Sequence, residues 1–246
     1  MLPCLGPPIG HTELMRILIV GASAGLGRAF IDGLHADGHE VIGVSRRVPA
    51  ELPVPWISAD FSDPVAGTAA LRAHVPESLD VVIWNLGVWE PTAFTADYDF
   101  AAQSDALTES LVSTNVTGPL LALRMLLPRL FRSSAPKVIL TGSTSALVRS
   151  GRPEVAFGAT KMALNGIADA LREQYRDQRL AVTVLQLGDL NTDDALAVPR
   201  EQAAGNGDGA LIPVHDVVDT VRFVLALSGA SFVREIVLPP IADERF

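Results

Sequence analysis

The sequence predicts an α/β protein built on a doubly wound parallel sheet with helices on both faces. Three observations lead there. Short runs rich in Val, Ile and Leu alternate with longer amphipathic stretches along most of the chain. These runs are mostly apolar rather than alternating, as strands buried on both faces are. A glycine-rich turn, Gly21-Ala22-Ser23-Ala24-Gly25-Leu26-Gly27, joins the first run to the first amphipathic stretch. The chain has 246 residues, 48% of them hydrophobic, enough for one large domain with a sizeable core.

The elements follow in order. Residues 1–15 read as a Pro- and Gly-rich flexible tail, with Met15 an alternative start, and 16–246 as one domain. Arg16 to Val20 is the first strand. Leu26 to Asp37 is a helix closed by Gly38. Val41 to Val44 and Pro55 to Ser58 are strands, Ala66 to Ala73 a helix, and Val81 to Trp84 a strand. A long helix from about Leu107 to Phe131 carries Pro119 and Pro128, either of which would kink it. Lys137 to Thr141 is a strand, Gly158 to Arg176 a helix, and Ala181 to Leu187 a strand. Ala203 to Gly209 reads as a mobile loop. His215 to Ala226 is a helix that starts at His215, with Asp216 near its positive end, and Glu235 to Leu238 is the last short strand. No repeat or interdomain linker interrupts this order.

Composition excludes several function classes. A net charge of −9 speaks against a nucleic-acid partner. A single cysteine, Cys4, allows no internal disulfide and fits a reducing, cytoplasmic setting. No apolar run reaches the roughly 18 residues of a bilayer span, and Met1 to Glu13 lacks the charge and apolar pattern of a signal peptide. No His/Cys cluster has metal-ligand spacing.

The turn at Gly21–Gly27 is the first chemical motif. Glycines allow a tight turn and let backbone approach a pyrophosphate, and the following helix presents free N–H groups to phosphate. In a strand–turn–helix setting this predicts a Rossmann-type dinucleotide site at Gly21, Ser23, Ala24, Gly25, Leu26 and Gly27. The alternative is a tight βα turn with no ligand.

The G-x-x-x-G-x-G spacing resembles that of the short-chain dehydrogenase/reductase family, and further landmarks follow in that family's order from Arg16 to Pro239. Asp60-Phe61 follows the third strand, where the family places an acidic residue near the adenine. Asn85-Leu86-Gly87 is similar to its N-x-A-G turn. Asn115 lies in an N-x-x-G pattern, Thr141-Gly142-Ser143-Thr144 ends the fifth strand, and Phe157-Gly158-Ala159-Thr160-Lys161 occupies the Y-x-x-x-K position. Gly188, Leu190 and Thr192 match the segment touching the nicotinamide end. The resemblance implies a nicotinamide dinucleotide cofactor, a small-molecule substrate, and a homodimer or homotetramer packed through the long helices near Asn115 and Lys161. Small residues Ala159, Ala163 and Gly166 suit such packing.

The second strand ends at Ser45-Arg46-Arg47. An acid there would grip the ribose hydroxyls of NAD(H); Ser45 removes that repulsion and two arginines suit a 2′-phosphate, so NADP(H) is expected. The bland alternative is two solvated loop arginines.

The resemblance implies catalytic roles for Asn115, Ser143, the residue at 157 and Lys161. Phe157 has no hydroxyl and cannot donate a proton. Three readings remain open: a natural reductase of conjugated C=C bonds that needs no Tyr acid, a tyrosine exchanged for phenylalanine to trap a complex, or a non-catalytic NADP(H)-binding module. Tyr175 lies nearly five turns along the helix, too far to substitute; Tyr98 is a candidate from an overhanging segment. The residue thirteen before Phe157 is Thr144 rather than Ser143, so both are candidates for the polarising hydroxyl. Leu86, Val88, Trp89, Leu147, Val148 and Leu190 predict a largely apolar pocket.

Overall fold

The fold is described from a computed structural model, which covers residues 14–51 and 53–245. Most of the expected tail, including Cys4, lies outside the described residues.

β1 (Arg16–Val20) feeds two cores at once. Leu18 and Val20 enter one apolar cluster and Ile17 and Ile19 the other. That double burial is why the run reads as unbroken hydrophobics. α1 (Gly25–Ala36), β2 (Glu40–Ser45), β3 (Trp56–Ser58), α2 (Pro64–His74) and β4 (Val81–Trp84) complete the first half. α3 (Asp105–Val112), a π-helical turn at Ser113–Thr117 and α4 (Gly118–Leu130) lead to β5 (Lys137–Thr141). Then come α5 (Val155–Gln174), β6 (Ala181–Leu187), β7 (Leu190–Asn191), α6 (Arg200–Gly205), β8 (Ile212–Pro213), α7 (Val214–Ala226) and β9 (Glu235–Leu238).

The main sheet has seven parallel strands in the order β3-β2-β1-β4-β5-β6-β9. The chain winds outward from β1 in one direction and from β4 in the other. Connections diverge at the carboxyl ends of these two strands, leaving a crevice there. α2, α4 and α5 cover one face through Leu71, Leu126 and Leu164. α1 and α7 cover the other through Phe30 and Val218. Trp84 is fully buried and meets Phe61 edge-to-face at 5.1 Å.

Several elements differ from the sequence reading. The long helix is broken one turn before Pro119: Gly118 N–H reaches back five residues to the Ser113 carbonyl. Pro119 has no N–H for the Asn115 carbonyl, so the regular ladder cannot run through this point. Pro128 sits inside α4. By length and composition the stretch Asp105–Leu130 is apolar enough to cross a membrane, but 56% of its most apolar window is buried in the fold. The helix expected from Gly158 starts earlier, at Val155, and ends at Gln174, short of Arg176. The loop expected at Ala203–Gly209 is in its first half the end of α6, with Ala203 fully buried. β7 and β8 form a separate two-stranded parallel pair that two-residue strands could not announce in sequence. His215 is more than a helix start: its Nε2 lies 3.1 and 2.8 Å from the carbonyls of Leu196 and Val198, tying that segment to α7.

Candidate functional site

The turn after β1 is shaped by steric need. Gly21 has φ +86°, and a Cβ there would lie 2.6 Å from the Leu86 nitrogen. A Cβ on Gly27 would lie 1.9 Å from the Gly21 carbonyl oxygen. Gly27 therefore packs beneath the turn, not on the cleft wall. The N–H groups of Gly21 and Ala22 both donate to the Val44 carbonyl. α1 begins at N-cap Ala24 with no capping side chain and no acidic residue in its first turn. Its first N–H groups and its positive end therefore remain available to an anion.

A cleft of about 1010 Å³ runs from this turn across the carboxyl edge of the sheet. Gly21, Ser23, Ala24, Gly25 and Leu26 line one stretch of it, Ser45, Arg46, Arg47, Asp60 and Phe61 the next. Asn85, Gly87, Ser143, Phe157, Lys161, Gly188, Leu190 and Thr192 line the remainder. Ser45 is largely committed within the protein: its hydroxyl donates to the Arg47 carbonyl and accepts from the Trp56 indole N–H at 3.1 Å. The same tryptophan explains Gly43, where a Cβ would meet its ring at 2.3 Å. Arg46 and Arg47 are exposed, and neither has a side-chain partner among the described residues. Asp60 is held below the usual carboxylate range, chiefly by the Ser62 backbone N–H, with the Ser62 hydroxyl and Arg46 adding to it. Phe61, which also lines the cleft, is 2% exposed.

A hydrogen-bond relay crosses the sheet edge. Asn85 Nδ2 donates to the Gly21 carbonyl at 3.2 Å, and the Thr141 hydroxyl donates to Asn85 Oδ1 at 3.1 Å. Lys161 Nζ then donates to the Thr141 carbonyl at 2.9 Å. Lys161 is buried, and desolvation lowers its pKa to about 8. Gly87 leaves room for its ammonium, since a Cβ there would sit 2.9 Å from Nζ. The Phe157 ring lies beneath, with its centroid 5.6 Å from Nζ.

Asn115 sits in the π-helical turn, 2% exposed and off the cleft wall. Its side chain accepts from Val88 N–H at 2.9 Å and donates to the Val88 carbonyl at 2.7 Å and the Thr160 hydroxyl at 3.0 Å. It braces the loop after β4 against α5. Ser143 and Thr144 both line the cleft, as does Ser145. Ser143 Oγ accepts from Ser145 N–H at 3.1 Å. Ser143 N–H donates to Gln186 Oε1 at 3.0 Å, and Gln186 is in turn held by donating to Asn165 and Glu235. A side-chain amide in the otherwise mostly apolar run AVTVLQL is the signal that could have marked Gln186.

Trp89, Phe94 and Phe157 form an aromatic wall beside Lys161, with ring centroids 5.2 to 6.4 Å apart and edge-to-face. Phe94 holds φ +66°, an unusual state for a bulky residue. Two buried carboxylates behind the wall fix it. Glu154 accepts from Phe94 N–H at 3.0 Å, and Glu90 accepts from Phe157 N–H at 3.3 Å. Tyr98 belongs to this support: its hydroxyl donates to Glu90 and accepts from Val155 N–H at 2.7 Å. Burial first, then the two carboxylates, push its pKa up. It does not line the cleft, which corrects the expectation that it overhangs the pocket. Leu147 and Val148 also lie off the cleft wall, Val148 being 84% exposed. Their loop contributes Arg152 instead, whose guanidinium pairs with Asp243 at 3.0 Å and Asp189 at 3.4 Å. This links the loop to the chain's end, a contact between positions too distant in sequence to foresee.

The sequence profile of the short chain dehydrogenases matches residues 15–203. The chain belongs to the short chain dehydrogenase family. A member of this family is an oxidoreductase, and the sheet order and the cleft position fit that assignment. An uncharacterized oxidoreductase of Staphylococcus epidermidis is 22% identical over 231 residues, covering 91% of this chain and 96% of that protein. The 3-oxoacyl-[acyl-carrier-protein] reductase of Escherichia coli is 24% identical over 76% of this chain and 78% of its own. Among solved structures, serine dehydrogenase from Escherichia coli superposes with a TM-score of 0.74 at 20% identity, covering 94% of this chain and all of that one.

The Lys161 environment predicts a pH signature. Folding lowers this pKa, so between about 8 and 10.5 the unfolded chain holds a proton that the folded chain has released. Stability contributed at this site is therefore lowest below pH 8 and rises through that window. In urea denaturation, the parent should gain on Lys161→Met as pH rises from about 8 to 10. A difference independent of pH over that range would show that the ammonium is not buried.

Proposed function

We propose that the protein is an NADP(H)-dependent oxidoreductase that reduces a C=O or a conjugated C=C of a largely apolar small molecule. The observation carrying this reading is the continuity of one cleft. An uncapped helix start and two arginines without side-chain partners among the described residues lie along one part of it, and a buried lysine against an aromatic wall along another. Solved relatives of the same fold are complexed with NADPH and with NADP+.

The residues present fit that cofactor. The α1 start and the Gly21–Gly27 turn would take the pyrophosphate, Arg46 the 2′-phosphate, Asp60 and Phe61 the adenine side, and Lys161 the nicotinamide ribose. Bound there, NADPH supplies a hydride. Phe157 takes the place of the family's tyrosine and supplies no proton. Ser143, or Thr144 beside it, would polarise the substrate oxygen, and Asn115 would keep the loop after β4 in place. Such a site favours a conjugated C=C, where charge develops on an oxygen that hydrogen bonds can stabilise while solvent protonates carbon. The aromatic wall supports an apolar or planar substrate.

The proposed assembly is a homo-oligomer built on α4 and α5. Leu120, Val155 and Met162 are exposed there, and Ala159 and Gly166 leave their surface open to close approach. Light scattering at micromolar concentration should give a dimer or tetramer mass; a folded monomer would contradict this.

NADPH should bind more tightly than NADH, and Arg46→Ala should weaken NADPH alone, since a charge-assisted phosphate contact is worth roughly 1.5–3 kcal/mol. Fluorescence titration giving equal affinities for the two would sink the assignment. For a natural C=C reductase, Phe157→Tyr should leave enone reduction nearly unchanged. For a tyrosine-dependent ketoreductase it should raise carbonyl reduction by about 10²–10⁴-fold. If neither form consumes NADPH with any enone or carbonyl, a cofactor-binding module is the surviving reading.

A further inference from the structure

The opposite end of the sheet carries a second cavity with a different chemistry. It lies at the amino ends of β5 and β6, between the end of α5 and the loop before β9, and encloses about 520 Å³. Five cationic side chains line it: Lys137, Arg172, Arg176, Arg179 and Arg234. Only two carboxylates do, Asp169 and Glu173. The groove is thus strongly positive in a chain whose net charge is −9.

The internal pairing leaves cations over. Arg172 is fully committed, donating to the Val182 carbonyl, to Asp169 and to the Arg234 carbonyl. Arg234 shares the same Asp169 carboxylate, and Arg176 pairs with Glu173. Among the described residues Arg179 has no ion pair and no side-chain hydrogen bond, and its backbone holds φ +53°. Lys137 is 7% exposed, and among the described residues its ammonium reaches only the Ala135 carbonyl, at 3.4 Å. The nearby Asp80 carboxylate is engaged elsewhere, by the Ser133 hydroxyl and Arg16 N–H. Burial pushes the Lys137 pKa down, against the pull of Asp80. A buried ammonium whose nearby carboxylate is already engaged is costly unless a further anion completes it.

We propose that this groove is a second ligand site, which takes a small polyphosphate anion such as pyrophosphate. The uncompensated charge matches two phosphoryl groups better than one carboxylate. Guanidinium forks suit phosphate oxygens, and the volume admits more than a single phosphate. The site is separate from the cofactor cleft, since the two lie at opposite ends of the strands.

Calorimetric titration at low ionic strength tests this, with pyrophosphate as probe and NADPH present in excess to occupy the first cleft. Binding should persist with NADPH bound and weaken as salt is added. Arg179→Ala should lower the affinity about tenfold and Arg176→Ala by a similar factor, while NADPH affinity stays unchanged. Both side chains are at the surface, so the fold should survive. Three outcomes would overturn the proposal: no heat at millimolar pyrophosphate, binding that NADPH abolishes, or binding that both substitutions leave intact.

Discussion

The close approach of the first βα turn to the strand beside it is the constraint on which the rest of the site depends. Gly21 and Gly27 lie so near Leu86 and each other that no side chain fits at either position. That contact brings the Gly21 carbonyl within reach of Asn85, and the relay through Thr141 to Lys161 follows. Four elements, β1, β4, β5 and α5, are registered by three hydrogen bonds along one sheet edge. A buried lysine can be tolerated there because its N–H groups find a carbonyl acceptor and an open cleft.

A second set of buried polar groups positions the loops that the strands do not hold. Gln186 aims the backbone at Ser143, Asn115 ties Val88 to α5, and Glu90 and Glu154 fix the aromatic wall. Each group is nearly or fully buried, so an unmade bond would carry its full desolvation cost, about 1–3 kcal/mol. Loops pinned in this way can keep cleft-lining side chains in one arrangement. The acids behind Phe157 also serve α5: Glu90 satisfies an N–H of its first turn, which has no side-chain cap of its own.

The cleft and the cationic groove occupy opposite ends of the same strands and differ in how their charge arises. The positive potential of the cleft comes from backbone, at the uncapped start of α1, with Arg46 and Arg47 at one side. The positive charge of the groove comes from side chains alone, converging from α5, the turn after it, β5 and the loop before β9.

The sequence by itself determined the strands of the main sheet, the glycine turn and the order of the family landmarks. These are local: a strand buried on both faces is mostly apolar rather than alternating, and a tight turn needs glycine within a few residues. It therefore placed Gly21, Asn85, Ser143 and Lys161 along one edge. Tertiary structure alone decided which residues face the cleft. Asn115 and Gly27 turned out to support it from behind, Val148 faces solvent, and Arg152 enters through its pairing with Asp243. The wall of Trp89, Phe94 and Phe157, and the carboxylates behind it, join segments some 60 residues apart. Side-chain direction in loops carries no period to read, and the partner of a buried acid is set by packing rather than by spacing.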